Sequence, residues 1–436
     1  MSLDQIPNNL PVQPTALIGR EVELEEITKR LNSDQVRLLT LTGPGGTGKT
    51  RLGIQVASEL IDHFKDGVYI VDLAPIRDPD GVLPAVARTV GIRKTSHRSI
   101  LEELMERLRD QVMLLLLDNF EQVTSAANQV VELLIGCPHI KILVTSREAL
   151  RVRVEHVFPL PPLTLPEAGD KHTSIELLGK SAAVRLFVER AQAVKPDFML
   201  TRENAAIVAE ICIRLDGLPL AIELAASRIK LFPPQALLER LSSRLKLLTG
   251  GARDLPARQQ TLRDTIGWSY DLLEAAGKQL FELLSIFPGG CTFEAFETIA
   301  SKVEPIKEAQ VDVIEGVVSL LDKSLLRQVS DANEEPRLVM FGTIRDYALE
   351  RLEENPVLSA AAFKAHAEYY ADFTRDQWRY LSGESSEDAL KHMDLELENI
   401  RAALLAILVI GENIRKRSGL ENRSSIWLNK VMTLIY

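Results

Sequence analysis

Residues 43–50, which read GPGGTGKT, constrain the fold of this 436-residue chain more than any other segment. They fit the pattern G-x-x-x-x-G-K-[ST] of a phosphate-binding loop. Residues 36–42 before the loop form a short apolar run, and residues 49–64 after it have the periodicity of an amphipathic helix. A strand, a glycine-rich turn and a helix N-terminus together present backbone N–H groups to an anion. The segment therefore predicts a P-loop in an α/β fold.

Each residue type in this loop has an expected task. The glycines allow backbone geometry that a Cβ would forbid, Lys49 is expected to reach the β- and γ-phosphates, and Thr50 is expected to hold Mg²⁺. A glycine-rich turn without a ligand is the alternative. The predicted nucleotide-binding residues here are Gly43, Pro44, Gly45, Gly46, Thr47, Gly48, Lys49, Thr50 and Arg51. The loop predicts a bound ATP or ADP with Mg²⁺, but not the purpose of the binding.

Short apolar runs alternate with helical periodicity up to about residue 160, which is typical of a parallel sheet with both faces covered. The predicted strands are residues 36–42, 67–73, 112–117 and 140–146. The predicted helices are residues 21–31, 49–64, 83–90, 99–109 and 125–135. Four prolines in residues 159–169 end the alternation and predict a domain boundary.

The rest of the chain is predicted to be largely helical, with a second boundary in the glycine-containing residues 249–256. Helices are predicted over residues 182–193, 202–214, 220–230, 235–241 and 359–408. Helices followed by two short β-like pieces, residues 324–329 and 337–341, predict a small winged-helix module. The predicted domains are an α/β nucleotide-binding domain (1–162), a helical domain (170–250), a winged-helix domain (255–350), the start of a helical array (356–410) and an atypical tail (411–436).

Three polar residues follow the buried strands and are candidates for nucleotide chemistry. Asp118 ends the run VMLLLLD, where an acidic residue would hold Mg²⁺ as a Walker-B aspartate does; a helix N-cap is the alternative. Glu121 is expected either to orient an attacking water or to be a first-turn glutamate favoured by the helix dipole. Arg147 ends the run KILVTSR at the sheet edge where α/β folds bind ligands. It is expected to contact the γ-phosphate, and a surface arginine is the alternative.

Composition narrows the class of protein. A net charge of −10 argues mildly against a general nucleic-acid binder. Cys137, Cys212 and Cys291 lie far apart in apolar neighbourhoods, so we expect reduced core cysteines. The histidines lack the spacing of a zinc site. The N-terminus has no signal-peptide core, and the longest apolar run, residues 402–410, is shorter than the ~20 residues of a membrane-spanning helix. A cytoplasmic location without membrane partners is therefore expected.

These motifs together resemble the STAND class of signalling NTPases, which contains the NB-ARC and apoptotic ATPases. The chain looks closest to bacterial predicted ATPases found beside transcriptional-activator and cyclase domains, and the resemblance covers roughly residues 8–405. The lead-in LIGREVELEEI resembles the signature h-h-G-R-E-x-E, which implies that Ile18, Gly19 and Arg20 lie near adenine and ribose. The segment GLPLAIELAA resembles the motif G-L-P-L-A, which implies that Pro219 lies against the base. Without the family, Pro219 is simply a proline at a helix start.

The resemblance also covers the winged helix, through QQTLRDTIGWSYDLL, LLDKSLL and TIRDYALERL. It implies a domain that closes over the nucleotide, so Arg253, Arg258 and Arg263 are expected to be solvated charges rather than DNA contacts. One departure is Phe341, which stands where NB-ARC proteins often have a histidine that contacts ADP. A phenylalanine cannot donate that hydrogen bond, so the contact is expected to be lost or supplied elsewhere.

The second departure concerns the end of the chain. The segment LELENIRAALLAIL resembles the entry to a tetratricopeptide-like array, and the resemblance stops after Gly411. Residues 411–436 carry five basic and two acidic residues without clear helical periodicity. We expect a chain that is truncated, or bounded differently, relative to its relatives.

The hypothesis favoured by the sequence is a regulatory ATPase switch that opens with ATP and closes with ADP, with slow Mg²⁺-dependent hydrolysis. Protein partners or self-assembly are expected to carry its output. The alternatives are an interaction scaffold that holds ADP without turnover, and a DNA-binding regulator acting through the winged helix or the basic tail. A transporter ATPase is disfavoured because no LSGGQ-like segment follows the P-loop. A metabolic kinase is disfavoured because the sequence shows no sign of a separate substrate pocket.

Overall fold

A computed structural model of the chain describes residues 6–92, 98–166, 175–241, 248, 261–329, 335–380 and 386–418. The chain divides into two compact units, Met1–Leu272 with Asp322–Ser324 and Leu273–Leu321 with Leu325–Tyr436. Within the described residues, no helix is long and apolar enough to cross a membrane. Cys137, Cys212 and Cys291 are all free and buried, as predicted.

The first unit contains a five-stranded sheet, and its strands are parallel in the order β2-β3-β4-β1-β5. The strands are β1 (Leu38–Thr42), β2 (Gly67–Asp72), β3 (Met113–Asp118), β4 (Ile140–Thr145) and β5 (Glu155–Pro159). The helices around it are α1 (Glu21–Asn32), α2 (Lys49–Glu59), α3 (Val82–Thr89), α4 (Ile100–Leu108) and α5 (Ala127–Gly136). The parallel α/β fold predicted from the P-loop is therefore confirmed.

Helices cover both faces of this sheet, which explains the unbroken apolar sequence of its central strands. Leu114 and Leu116 of β3 point into the cluster that contains residues of α1 and α2. Leu115 and Leu117 alternate to the opposite cluster, with residues of α3, α4 and α5. Because every residue of β3 is buried, the strand could be recognised from its sequence.

The edge strand β5 was not predicted. Only Phe158 of its five residues is buried, so the segment lacks the apolar run by which the other strands were identified. Pro159 at its end is compatible with an edge strand, where a missing N–H leaves no ladder partner unpaired. β5 pairs with β1 from Leu38↔Glu155 to Thr42↔Pro159, so the predicted boundary at residues 159–169 begins within the sheet. Residues 167–169 lie outside the described ranges.

Beyond the sheet, the first unit is helical, as predicted. It contains α6 (Ile175–Lys180), α7 (Ala182–Val194), α8 (Ala205–Arg214), α9 (Pro219–Ala226), α10 (Pro234–Arg240) and α11 (Leu262–Asp271). The short helix α6 was not predicted. The second predicted boundary, residues 249–256, lies outside the described part of the chain.

The second unit combines helices with a three-stranded antiparallel sheet. Its helices are α12 (Ala275–Leu284), α13 (Phe293–Lys302), α14 (Glu304–Glu308), α15 (Val313–Asp322, with Asp322 grouped in the first unit), α16 (Gly342–Glu353), α17 (Pro356–Tyr380), α18 (Ser386–Leu395) and α19 (Leu397–Ser418). Its strands are β6 (Cys291–Thr292), β7 (Arg327–Val329) and β8 (Arg337–Val339), in the order β6-β8-β7.

Two of these strands lie within the β-like pieces predicted from the sequence, whereas β6, with two residues, was not predicted. The single helical segment predicted over residues 359–408 is divided into α17, α18 and α19. Helix α19 continues through Gly411 to Ser418, so the helix runs past the residue at which the predicted tail begins. Residues 419–436 of that predicted tail lie outside the described ranges.

Candidate nucleotide-binding site

The P-loop connects β1 to α2, and its backbone geometry depends on glycine. Gly46 and Gly48 have φ angles of +83° and +91°, which residues with a Cβ rarely adopt. Among the described residues, a Cβ built on Gly48 would meet no non-neighbouring atom within 4 Å, whereas one on Gly46 would lie 3.0 Å from the Cβ of Leu220. Because Gly48 is the N-cap of α2, the space beside it lies at a helix N-terminus, which favours an anion.

Lys49 folds over the loop that precedes it. Its Nζ donates hydrogen bonds to the carbonyls of Gly43 and Pro44, at 2.6 and 3.0 Å. The Pro44 carbonyl also accepts the hydroxyl of the buried Thr47 at 2.9 Å. Burial lowers the pKa of Lys49 from 10.5 to about 8, although the carboxylate of Glu121 opposes this shift. The ammonium is therefore desolvated, and an added anion would stabilise its charged form.

Thr50 and Asp118, the two predicted magnesium residues, are brought together at the ends of α2 and β3. The Oγ1 of Thr50 donates to Oδ1 of Asp118 at 2.7 Å, and Thr145 Oγ1 donates to the same oxygen. Asn119 Nδ2 donates to Oδ2 at 2.6 Å. Burial raises the pKa of Asp118, and the hydrogen bonds from Thr145 and Thr50 oppose the rise. A hydroxyl and a carboxylate are oxygen donors of the kind that Mg²⁺ prefers.

The alternative for Asp118, a helix N-cap, is wrong. The turn that follows β3 is the 3-10 helix Phe120–Gln122, and its N-cap is Asn119. Asn119 has a left-handed backbone with φ of +63°, and its N–H donates to Thr145 Oγ1 at 3.0 Å. The carboxylate of Asp118 therefore points to the hydroxyls of Thr50 and Thr145. In the part of the chain that the structure describes, no cluster of three or more His, Cys, Asp or Glu residues could hold a metal.

Arg147 lies against the P-loop and is not a surface arginine. It is only 6% exposed and Glu121 only 8%, and its Nε donates to Glu121 Oε1 at 3.3 Å. Its Nη1 donates to the carbonyl of Thr265 at 3.2 Å. A Cβ built on Gly45 would lie 3.3 Å from Nη2 of Arg147. The arginine predicted at the end of β4 is therefore close to the loop, and the carboxylate of Glu121 is engaged with it.

The lead-in residues Ile18, Gly19 and Arg20 are packed behind the P-loop. Ile18 and Arg20 are buried, and Gly19, with φ of +65°, has so little space that a Cβ would lie 2.2 Å from that of Ala182. The guanidinium of Arg20 donates to the carbonyl of Thr47 at 3.2 Å and pairs with Glu23 at 2.6 Å. Burial lowers the pKa of Arg20, and Glu23 opposes this shift. The lead-in thereby supports the loop directly.

Pro219 is the first residue of α9, as expected of a proline at a helix start. The next residue, Leu220, donates its backbone N–H to the carbonyl of Gly46 at 3.2 Å. The predicted G-L-P-L-A motif therefore lies in direct contact with the P-loop, although Gly46 and Leu220 are 174 positions apart in the sequence.

Arg51 links α2 to the lead-in. It donates to the carbonyls of Thr15 and Ala16 at 2.7 Å each. Glu223 of α9 lies 3.7 Å from it. A cavity of about 380 Å³ adjoins this link and is lined by Gln13, Thr15, Leu17, Arg20, Leu24 and Gln55 among others.

Of the remaining predicted residues, the structure describes Arg263 and Phe341. Arg263 in α11 is half-buried rather than fully solvated, and Arg253 and Arg258 lie outside the described residues. Phe341 is buried at the N-cap of α16, and its ring lies 4.7 Å from the guanidinium of Arg327. It contributes packing in the second unit instead of a hydrogen bond.

Sequence reasoning assigned no role to Thr145, Asn119 or Thr265. The first two complete the hydrogen bonds of Asp118, and the third contacts Arg147. Thr145 ends an apolar strand just as Asp118 does, so its position at the sheet edge could have been predicted from the sequence. The contact of Arg147 with Thr265 could not, because it joins residues 118 positions apart.

Comparisons with known protein families identify the nucleotide-binding part of the chain. The family model described as "AAA domain" matches residues 32–151, the segment that holds the P-loop, β3 and β4. Together with the parallel sheet, this match shows a P-loop NTPase domain, a fold that implies nucleotide binding. The chain is also similar to the solved ORC2 protein of Aeropyrum pernix, with 13% identity, a TM-score of 0.46, and coverage of 81% of this chain and 97% of that one.

Two mycobacterial relatives are similar over most of this chain. A putative HTH-type transcriptional regulator of Mycobacterium tuberculosis is 37% identical over 375 residues, which cover 85% of this chain and 39% of the relative. The chain thus spans about two fifths of the length of that regulator. An uncharacterized protein of the same organism is 33% identical over 355 residues, which cover 81% of this chain and 86% of the relative.

Proposed function

The chain belongs to the family of that uncharacterized mycobacterial protein. We propose that it is a nucleotide-dependent regulatory switch of the STAND class. ATP and ADP, with Mg²⁺, would be the ligands of the P-loop. The observation that carries the proposal is the position of Arg147, whose buried guanidinium lies beside Gly45 of the loop. A cation at that position can distinguish a triphosphate from a diphosphate.

The residues around the loop fit a nucleotide with Mg²⁺. The open space beside Gly48 lies at a helix N-terminus. The ammonium of Lys49, which donates to the carbonyls of Gly43 and Pro44, would turn to the phosphates from the same turn. Thr50 and Asp118 would hold Mg²⁺, which neutralises phosphate charge when bound. Ile18, Gly19, Arg20 and Pro219 would adjoin the base and ribose.

Slow hydrolysis is part of this proposal. Glu121 is the carboxylate that would orient an attacking water, and it accepts a hydrogen bond from Arg147. As long as this ion pair persists, the Oε1 atom of Glu121 accepts from the guanidinium and does not orient a water. Turnover would therefore reset the switch slowly.

The switch needs a ligand that distinguishes two conformations, because a nucleotide shifts an equilibrium only by its different affinity for the two states. Lys49 and Arg147 are the residues whose contacts would differ between ATP and ADP. The output would pass to protein partners or to self-assembly. Its place in transcription regulation is inferred from its similarity to the putative HTH-type transcriptional regulator, of which this chain covers only part.

The order of elements in the second unit supports a winged helix within this switch. Helix α12, strand β6, helices α13 and α15, and strands β7 and β8 follow in sequence, and β8 lies between β6 and β7. In a winged helix of this order α15 would be the DNA-reading helix. It reads VIEGVVSLLD and contains no lysine or arginine, so it does not suit phosphate contacts. We therefore propose that this domain is structural and that α17, α18 and α19 begin a tetratricopeptide-like array.

The test of the nucleotide site is Lys49→Ala, with Lys65→Ala as the matched control because Lys65 is exposed just beyond α2. We expect Lys49→Ala to lose ATP and ADP binding in calorimetric titrations, and Lys65→Ala to bind as the parent does. Parental affinity in Lys49→Ala would show that the loop does not bind phosphate.

The test of the switch is the nucleotide that co-purifies and the size of the protein with Mg·ADP and with a non-hydrolysable Mg·ATP analogue. We expect the size or shape to differ between the two ligands. Undetectable turnover together with retained ADP and an unchanged size would favour the scaffold. Salt-dependent binding to duplex DNA would instead favour the DNA-binding regulator.

A further inference from the structure

Thr265 of helix α11 lies against the P-loop. The methyl carbon Cγ2 of Thr265 would lie 2.6 Å from a Cβ built on Gly45, so the two residues are in close contact. The carbonyl of Thr265 accepts the hydrogen bond from Nη1 of Arg147. We call these two interactions together the α11 contact. Thr265 is only 3% exposed, so the contact is shielded from water.

Arg147 connects the α11 contact to the phosphate site. Its guanidinium carries five N–H donors in a fixed plane, and Nε and Nη1 are directed to Glu121 and Thr265 respectively. Its Nη2 lies 3.3 Å from the position of a Cβ on Gly45. One side chain therefore contacts the carboxylate after β3, the loop after β1 and the carbonyl in α11.

We infer that α11 is the element that reports the terminal phosphate, because the guanidinium of Arg147 that adjoins the P-loop also makes the α11 contact, and turning it toward a phosphate draws Nη1 away from Thr265. Anionic phosphate oxygens accept hydrogen bonds from guanidinium more strongly than a neutral carbonyl does. A triphosphate on the P-loop therefore weakens the hydrogen bond to Thr265 and frees α11, whereas a diphosphate leaves the α11 contact in place. Thr265 and Glu121 are positioning residues, since both act through Arg147. This inference rests on the proposed function and specifies how its signal leaves the site.

The chain carries its own reporter for this event. Trp268 lies in α11 three residues after Thr265 and is half-buried. The sequence has three tryptophans, and the other two are Trp378 in α17 and Trp427. In the 436-residue chain with Trp378→Phe and Trp427→Phe, Trp268 is the one tryptophan that remains, and its fluorescence reports on α11.

The experiment compares acrylamide quenching of Trp268 with Mg·ADP and with Mg·adenosine 5′-(β,γ-imido)triphosphate, at concentrations that saturate each ligand by calorimetry. We expect roughly a twofold larger quenching constant with the triphosphate, because a freed helix exposes its side chains. With Mg·ADP, quenching should match that of the protein without added nucleotide. Asp264→Asn, on the exposed side of the same helix, is the matched control and should respond as the background protein does.

Two sets of variants separate this role from simple stability. Arg147→Lys keeps the charge but not the planar fork, so quenching should be high with both nucleotides. Gly45→Ala adds the methyl group that meets Thr265, and it should raise quenching with Mg·ADP. Adding Thr265→Ser to Gly45→Ala removes Cγ2 and keeps the hydroxyl, so the difference between the two nucleotides should return. A contact with a purely structural role would show no difference between the two nucleotides in either variant.

The outcomes distinguish this inference from the function on which it rests. Equal quenching with two tightly bound nucleotides would overturn the α11 contact as the reporter and leave nucleotide binding intact. Failure of the parent to bind either nucleotide would overturn both. Absence of rescue by Thr265→Ser, with normal binding in the double variant, would also contradict the inference.

Discussion

Lys49 combines a charge needed for phosphate binding with an environment that disfavours charge. Burial lowers its pKa to about 8, so the ammonium begins to lose its proton within one unit of neutral pH when no anion is bound. A phosphate on the loop would favour the protonated form and raise this pKa again. Nucleotide binding and protonation of Lys49 are therefore linked.

The first prediction follows from that linkage. Below pH 8 the free protein already carries the proton, and above pH 8 binding must take it up. We expect nucleotide affinity to be constant below pH 8 and to fall by up to about tenfold per pH unit above it. Calorimetric titrations at several pH values measure this, with Lys49→Arg as the control because arginine stays charged. Parallel pH profiles for parent and Lys49→Arg would contradict it.

Asp118 and Asp72 offer a second test, because the two carboxylates end neighbouring strands in register. Asp118 is buried and accepts the Thr50 hydroxyl, whereas Asp72 is exposed. We expect Asp118→Asn to remove the Mg²⁺ dependence of nucleotide binding, because an amide has lost the negative charge that attracts the ion. Asp72→Asn should retain it. Nucleotide affinity measured over a series of Mg²⁺ concentrations tests this prediction. An equal loss of Mg²⁺ dependence in both variants would argue against Asp118 as the specific ligand.

At the residue scale, the sequence pointed to single residues and not to their pairing. Lys49, Thr50 and Asp118 were identified because their motifs are local, and in the structure the hydroxyl of Thr50 donates to Asp118. The ion pair of Glu121 with Arg147 was not foreseen, since it depends on β3 and β4 being neighbours in a given register. Neither expectation for Glu121, a water-orienting base or a dipole-favoured glutamate, included a buried arginine partner.

At the element scale, burial decided which parts of the sheet were recognisable. The strands β1, β3 and β4 are almost entirely buried and read as apolar runs. Strand β5 exposes most of its residues and was missed. The contact of α9 with the P-loop has no local sequence signal either. It joins Leu220 to the carbonyl of Gly46, and these two residues come together only in the folded chain.

That contact gives a third prediction. Gly46→Ala would introduce a Cβ 3.0 Å from that of Leu220 at a φ of +83°, whereas Gly91→Ala, at a φ of +78°, meets no non-neighbouring atom of the described residues within 4 Å. Both substitutions should cost roughly 1–2 kcal/mol of backbone strain, and Gly46→Ala should cost more because it also crowds α9. Urea unfolding midpoints measure the difference, and nucleotide affinity should fall only in Gly46→Ala. Equal midpoints would show that α9 yields easily to the added methyl group.

At the scale of the whole molecule, the chain consists of two compact units, and each contains a hydrogen-bonded cluster around one carboxylate. In the first unit this carboxylate is Asp118. In the second unit, Glu396 accepts hydrogen bonds from Arg337, from the hydroxyl of Tyr370 at 2.8 Å and from Asn399 at 2.6 Å. Asn399 also donates to the carbonyl of Gly290. This cluster joins the small sheet to α17 and α19.

The two units provide a final prediction, in which nucleotide and mutation act on different unfolding transitions. Nucleotide at about 100 times its dissociation constant should stabilise the unit that contains the P-loop by about 2.7 kcal/mol. Glu396→Gln removes the charge that pairs with the partly buried Arg337, and it should destabilise the second unit by about 3 kcal/mol. We expect calorimetric scans to show two transitions, one raised by nucleotide in parent and Glu396→Gln alike, the other lowered by Glu396→Gln and insensitive to nucleotide. Lys49→Ala should abolish only the first effect. A single transition that responds to both changes would show that the two units unfold together, because independent cores would not share one midpoint.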